Sequence, residues 1–531
     1  MNNMMPLGLH AMVAAPHYLA THVGASILTA GGGAYDASVA VSAALAVVYP
    51  HMTGLGGDAF FLMYDAKERR FEGLNGTGRS GRQAVPAVYI QRGLNSIPHR
   101  GALSAITVPG MVDAWWEVWS KRGRLPWEKL LEPAIRFAEE GFPISRDLSR
   151  WMVRDEAWLR NHEPLARLYL HQSRLLPEGS RLRRPELVAT PRTLQLQGRN
   201  AFYRGPLMKS MVAAIERDGG LLTEDDFPRP PQRLGRADLN HLPGSEVLQM
   251  PPNSQGFSAL MMMNMLESVE VSRIPRRSAE YYHLMVEVVK KAFRDRDAYL
   301  TDPAFRSIPL ERSALQDLCP RAASRYPAFA AGDRRSPVAG QRPGYGLRGG
   351  SGRRGQRRLL HPKPLLRFRI GICGRFERGA AAKSWLLLFA GSAASECTGA
   401  GKTFLPHAYA GDDRAGRQAV CIDRHARRGR ATANPAVAYD RTTRLRLHDP
   451  GGDCAAALGV RPHLGEDSDK LRLENRGFEA EAARLAAWGH EVELFGPWDG
   501  MMGQAQGIVR DDRGILSGAA DPRGDGLAIG W

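Results

Sequence analysis

The chain of 531 residues is 43% hydrophobic and 24% charged, a globular composition that excludes wholesale disorder. Its formal net charge of +17 suggests a nucleic-acid binder, but residues 331–460 hold 21 Arg and 3 Lys against 9 Asp and Glu, which leaves only +2 for everything else. The apolar stretch ASVAVSAALAVVYP is too short to cross a bilayer and no basic leader precedes a clean apolar run, so a soluble, cytoplasmic protein without a membrane partner is expected.

In chain order, the triple glycine of GGGAYDASVAVSAALAVVYP suits a tight turn, and small and apolar residues on a helical period predict a helix from Ala34 to Val48, stopped by Pro50. The glycines of HMTGLGGDAF mark a loop. AFFLMYD and RFEGLN, separated by a charged turn, predict a β-hairpin. SAEYYHLMVEVVKKAFRDRDAYLTDP predicts an amphipathic helix with Leu284, Val288 and Ala292 on one stripe and Asp302-Pro303 beyond its end. Residues 331–464 are rich in Gly and Arg with poor hydrophobic periodicity and read as a basic disordered insert. Order returns after 465. EAEAARLAAWGH predicts a helix closed by Gly489, EVELFG a strand, and AQGIVRDDRGILSGAAD two strands joined at Asp-Arg-Gly. Together these elements predict a layered α/β fold with the basic segment interrupting it.

Few residues stand out as chemistry. Cys319, Cys373, Cys397, Cys421 and Cys454 contain no CxxC pair, and no metal centre or cofactor site is expected from them. GLGGDAF (Gly54–Phe60) lacks both the phosphate-loop and the dinucleotide pattern, leaving a turn between helix and hairpin or a substrate-facing loop. Arg79, on the glycine loop NGTGRSGRQA, is suited to clamp a substrate carboxylate through two parallel hydrogen bonds. His51 reads as a helix C-cap or a buried hydrogen-bonding group, with no nucleophile at a diagnostic spacing. Asp295, Asp297 and Asp302 read as decoration of a helix end rather than as metal ligands.

The stretch GGGAYDASVAVSAALAVVYPHMTGLGGDAF resembles the signature region of the gamma-glutamyltransferase family, which includes gamma-glutamyltranspeptidases and cephalosporin acylases. TVPGMVDAWW, PPNSQGFSAL, YYHLMVEVVKKAFRDRDAYLTDP, GHEVELFGPWDG and DPRGDGLAIGW resemble later blocks of the same family. The resemblance implies an N-terminal nucleophile hydrolase with a four-layer αββα sandwich. It implies a proenzyme cleaved into a large chain, residues 1–339, and a small chain, residues 340–531. These would form a heterodimer able to pair again into a dimer of heterodimers. The substrate is a small-molecule amide, with no cofactor and no nucleic acid involved. A threonine nucleophile is implied near position 340, yet none lies between Thr301 and Thr398. The family arginine that holds the glutamyl carboxylate falls at Thr77, with Arg79 two residues on.

The resemblance vanishes only across about 340–464, and codon arithmetic explains why. HPKPLLRF encoded as CAT CCA AAG CCT CTA CTT CGA TTT reads Ile-Gln-Ser-Leu-Tyr-Phe-Asp one base later, close to a family strand. At the same offset DPGGDCAAAL permits Ile-Gln-Ala-Ala-Ile-Ala, close to a second block. A base lost near 340 and a frame restored near 464 are inferred. The expected function is a self-cleaving acylase or transferase of gamma-glutamyl compounds such as glutathione, working through a covalent acyl-enzyme. One alternative is a glutaryl-cephalosporin acylase. The other is an inactive basic binding protein, in which the foreign segment leaves unpaired sheet edges.

Overall fold

The computed structural model describes residues 5–227 except 95 and 99, residues 238–242, residues 245–308 except 268, and residues 367–373, 385–391, 458–459 and 470–531. After a two-residue strand, Leu7–Gly8, come β1 (Met12–Ala15), α1 (Tyr18–Thr29) and α2 (Ala34–Val48). The hairpin β2 (Asp58–Asp65) and β3 (Arg70–Gly76) comes next, then α3 (Met111–Arg122), α4 (Trp127–Glu140) and α5 (Arg146–Arg154). After α6 (Pro185–Gln197) and the short α7 (Arg199–Tyr203) come the strands β4 (Asp238–Leu242) and β5 (Ser245–Gln249). Helices α8 (Gly256–Glu267) and α9 (Ala279–Tyr299) precede strands β6 (Arg367–Cys373) and β7 (Trp385–Gly391). The C-terminal part supplies β8 (Leu471–Glu474), α10 (Glu479–Ala487), β9 (Val492–Phe495), β10 (Gln506–Arg510), β11 (Leu516–Ala520) and β12 (Leu527–Gly530).

The six-stranded sheet runs β12-β1-β6-β7-β2-β3, antiparallel throughout. Alternation along its strands divides two cores. Val13, Ala15, Ala59, Phe61 and Met63 join the cluster that holds α1 and α2. Their neighbours point the other way: Met12 and Ala14 pack with Leu516 and Ala528, while Phe60 and Leu62 pack with Leu248 and Met250. On β5 the next residue back, Val247, turns to Leu260 and Met263 of α8. Strands β1 and β2 are therefore buried on both faces.

Helix α2 matches its predicted span and is buried along its whole length, which explains its unbroken run of small residues. Gly31 has φ +95°, and Gly33 donates to Asp36 Oδ2 at 2.7 Å, closing the first turn. The Asp-Arg-Gly turn joins β10 to β11 as expected: Asp511 Oδ1 accepts from Arg513 N and Ile515 N, both at 2.9 Å, and Gly514 takes φ +88°.

One expectation is corrected. The basic segment was expected to leave the sheet with unpaired edges, but its apolar runs RFRIGIC and WLLLFAG form β6 and β7, the two central strands. Seven apolar-rich residues are enough for a strand whose ladder is completed on both sides. The four cysteines other than Cys373 lie outside the described residues, as does position 340. Among the described residues no helix is long and apolar enough to cross a membrane.

Candidate functional site

The end of β3 and the loop after it press against the start of α3 with glycine at every close contact. A Cβ on Gly78 would lie 1.6 Å from Val108 O, and one on Gly110 would lie 2.0 Å from Gly76 O. These contacts are backbone on backbone, so only glycine fits. Ser80 bridges Thr107, and Val108 N donates to Arg79 O at 2.9 Å. Gly57 O, from the GLGGDAF loop, accepts from Gly110 N and Met111 N, both at 3.0 Å, and so satisfies donors at the start of α3. That loop supports the site rather than lining it: it serves as the turn between helix and hairpin.

The result is a small cavity of about 50 Å³ at the rim of the sheet, whose walls include Thr77, Arg79, Asp113, Glu117, Arg199 and Tyr203. Thr77 is buried and locked. Its N and Oγ1 donate to Asn75 Oδ1 at 3.0 and 2.7 Å, and it accepts from Asn253 Nδ2 at 3.1 Å. Asn75 Nδ2 in turn donates to Asn253 Oδ1. Across the cavity Arg199 pairs with Asp113 and lies over the Tyr203 ring at 4.9 Å. Burial pushes the Asp113 carboxyl up, with Arg199 opposing it, and burial likewise raises the Tyr203 phenol. Tyr203 OH donates to Pro109 O at 2.7 Å.

Arg79, predicted from the sequence, stands in this wall half-buried, and its Nε has no partner among the described residues. A buried guanidinium nitrogen without an acceptor suits a group that brings one. The locked Thr77 occupies the position where an arginine was implied. Sequence reading missed Asn75 and Asn253, which stand 178 residues apart. The nucleophile expected near 340 lies outside the described residues.

Of the two roles expected for His51, the structure shows the buried hydrogen-bonding group and not the helix cap: its Nε2 lies 3.4 Å from Asp147 Oδ2, in a polar cluster most of whose other members lie far away in sequence. Tyr49 OH and Gln504 Nε2 donate to the same oxygen at 2.8 and 2.6 Å, and Asp147 N donates to Asp525 Oδ1 at 3.3 Å. Burial works to raise the Asp147 carboxyl, but the His51, Tyr49 and Gln504 hydrogen bonds and the His51 charge hold it below the ordinary range. His17 is buried nearby, and burial holds its imidazole down to about 3. A hollow of about 400 Å³ adjoins Asp147, lined by Trp151, Trp498 and Arg150 among others. Its cations are engaged within the protein: Arg150 donates to Trp498 O at 3.2 Å and Arg154 to Met501 Sδ.

Asp295, Asp297 and Asp302 do not converge as ligands. Asp297 accepts from Arg296 Nε at 2.9 Å, Asp295 pairs with Arg294 at 3.4 Å, and Asp302 Oδ1 accepts from Ala304 N at 2.9 Å.

An antiparallel sheet with helices packed against it and a polar cavity at its rim, one wall of which is an arginine, defines a mixed α/β protein with a candidate site. Residues 20–325 match the family described as Gamma-glutamyltranspeptidase. The chain is 35% identical, over 99% of its own length and 100% of the relative's, to the "Glutathione hydrolase-like YwrD proenzyme" of Bacillus subtilis (strain 168). It is 30% identical to the "Oxamate amidohydrolase proenzyme" of Klebsiella pneumoniae, over 98% of both chains. The fold is similar to the crystal structure of cephalosporin acylase from Bacillus halodurans, with a TM-score of 0.70 at 21% identity, covering 100% of this chain and 97% of that one. The chain belongs to the gamma-glutamyltranspeptidase family, and so to a family of amide hydrolases and acyl transferases.

Proposed function

We propose that the chain is the precursor of a self-cleaving amide acylase whose acyl donors carry a free carboxylate, gamma-glutamyl compounds such as glutathione being the leading class. The observation that carries this reading is Arg79, held on a glycine-packed loop in a cavity wall with Nε unpartnered among the described residues. Family membership supports it, as do the names of the two relatives that span the whole chain. Gamma-glutamyl, glutaryl and oxamate donors differ in size but all offer a carboxylate to a guanidinium fork.

The chemistry needs a hydroxyl with its own base. A threonine at the start of a freed small chain meets that need, because its α-amine takes the hydroxyl proton as the oxygen attacks the amide carbonyl. The tetrahedral intermediate then expels the amine of the donor, which takes up that proton, and the acyl group of the resulting ester passes to water or an acceptor amine, which restores the hydroxyl; no cofactor is drawn on. We place that threonine near 340, in the reading frame inferred above, with residues 1–339 and 340–531 as large and small chains. They pair as a heterodimer, and a dimer of heterodimers is the expected assembly. The stacking of α2, the six-stranded sheet, β5 and α8 supports a four-layer αββα sandwich. Thr77 in place of the implied arginine favours a second reading, glutaryl-cephalosporin hydrolysis, in which the carboxylate sits differently.

The test is expression of the gene with the frame restored, followed by chain masses, N-terminal sequencing and assays on gamma-glutamyl anilide, glutaryl anilide and oxamate. Two chains are expected, the small one beginning at Thr. Arg79→Ala should lower kcat/KM for the preferred donor by about 2–4 kcal/mol, roughly 30- to 1000-fold, while leaving an uncharged acyl anilide unaffected. A single chain of 58.4 kDa from the native source, containing peptides of HPKPLLRFR, would end the enzyme reading.

A further inference from the structure

Far along the chain from the Arg79 loop, two histidines and a glutamate converge where α9 meets α10. His283 and Glu287 stand one turn apart on α9, which puts them on one face. His490 follows the C-terminus of α10, and its backbone is fixed there. Gly489 at φ +92° donates to Ala486 O at 3.0 Å, and His490 N donates to Leu485 O at 3.1 Å, the two bonds of a Schellman closure. The two helices are held together by the Glu280–Arg484 pair and by Tyr282 edge-on to Phe478. His283 Nδ1 then lies 2.8 Å from His490 Nε2, and donor atoms of all three residues lie within 4.8 Å of one another.

We propose that His283, Glu287 and His490 bind a divalent transition-metal ion of the zinc type, with a fourth position open to water. Two imidazoles and a carboxylate form a donor set that such ions take. Bond lengths of about 2.0–2.2 Å would set the donors about 3.3 Å apart, so the present spacing needs only side-chain rotation. A plain His–His hydrogen bond accounts for one contact, and without an ion the carboxylate beside it pairs with Lys290. Lys290 is the local competitor, its Nζ 3.0 Å from Glu287 Oε1 and 3.5 Å from His490 Nδ1. Its side chain is half-exposed and free to swing into water as an ion enters. The ion would pin α9 to the turn between α10 and β9. In the two-chain form proposed above, and resting on that reading alone, it would bridge the large and small chains.

Metal-free full-length chain titrated with Co²⁺ should develop the visible bands of a tetrahedral site, saturate at one equivalent and lose the bands to Zn²⁺. His283→Ala, Glu287→Gln and His490→Ala should each weaken binding at least about tenfold. Lys290→Met should tighten it. Equal affinity in the three ligand variants and the parent, or no saturation at one equivalent, would overturn the site. Should His490→Ala fail to fold by circular dichroism, Glu287→Gln and Lys290→Met decide. Weakening in the first with tightening in the second supports the site; no change in either removes it. Binding is read without any activity assay, so a failed acylase test leaves this result standing.

Discussion

Acidification should destabilise this protein through one histidine, and the size of the effect follows from burial. His17 is 0% exposed, caps α1 by accepting from Leu19 N through Nδ1 at 3.2 Å, and is held down to about 3 chiefly by burial, with the His51 charge adding and Asp147 opposing. In the unfolded chain the imidazole titrates near 6.5. As pH falls below that value the unfolded state takes up a proton that the folded state refuses, so stability falls until the folded pKa is reached. Between pH 7 and pH 5 the loss works out at about 2 kcal/mol. His17→Asn keeps a capping acceptor but cannot titrate. Urea unfolding at both pH values should show the parent losing about 2 kcal/mol more than the variant. If parent and variant lose the same stability, His17 is already charged or already solvated in the folded protein, and the assignment of a dry, neutral imidazole is wrong.

Other substitutions test the packing and polar groups around the two sites. Gly78→Ala should cost about 2–3 kcal/mol, because its Cβ meets the Val108 carbonyl at 1.6 Å and backbone must move; thermal unfolding measures the loss. Glu474 is fully buried and accepts from Arg523 Nη2 at 2.6 Å and Nε at 3.0 Å. Asp521 holds only Arg523 Nη1, at 3.1 Å, so Glu474→Ala should lose about 2–4 kcal/mol in denaturant unfolding by leaving the other side of a buried guanidinium without its acceptor, and a double variant that also removes Arg523 should recover part of it. Asp36 accepts from Gly33 N at 2.7 Å and from Arg124 N at 3.0 Å, so Asp36→Ala should cost about 2–3 kcal/mol, a loss that equilibrium unfolding will show.

What was legible in the sequence was local. Small residues from Ala34 to Val48 with Pro50 beyond mark a helix because nothing larger packs against neighbours on every side. AFFLMYD and RFEGLN mark a hairpin because each strand's alternation survives the turn, and Gly489 marks a helix end because the φ it adopts is positive. Arg79 was found because a glycine loop after a strand is where side chains reach ligands. Partners distant in sequence left no such trace. Asp147 and Asp525 meet across 378 residues and Thr77 and Asn253 across 176, distances at which no spacing rule operates. In the basic segment, composition averaged over more than a hundred residues hid two seven-residue runs that pair in the middle of the sheet.

The order β12-β1-β6-β7-β2-β3 has a consequence for any break in the backbone between residues 308 and 367. The N-terminal fragment would own β1, β2 and β3, and the C-terminal fragment β12, β6 and β7, so the two would be shuffled together like cards from two half-decks. Neither could leave without tearing ladders on both sides of β1 and between β7 and β2. Such a nicked protein should behave as one body: its halves should not exchange with labelled halves from another molecule short of denaturation. Nor should they find each other readily when made as separate polypeptides.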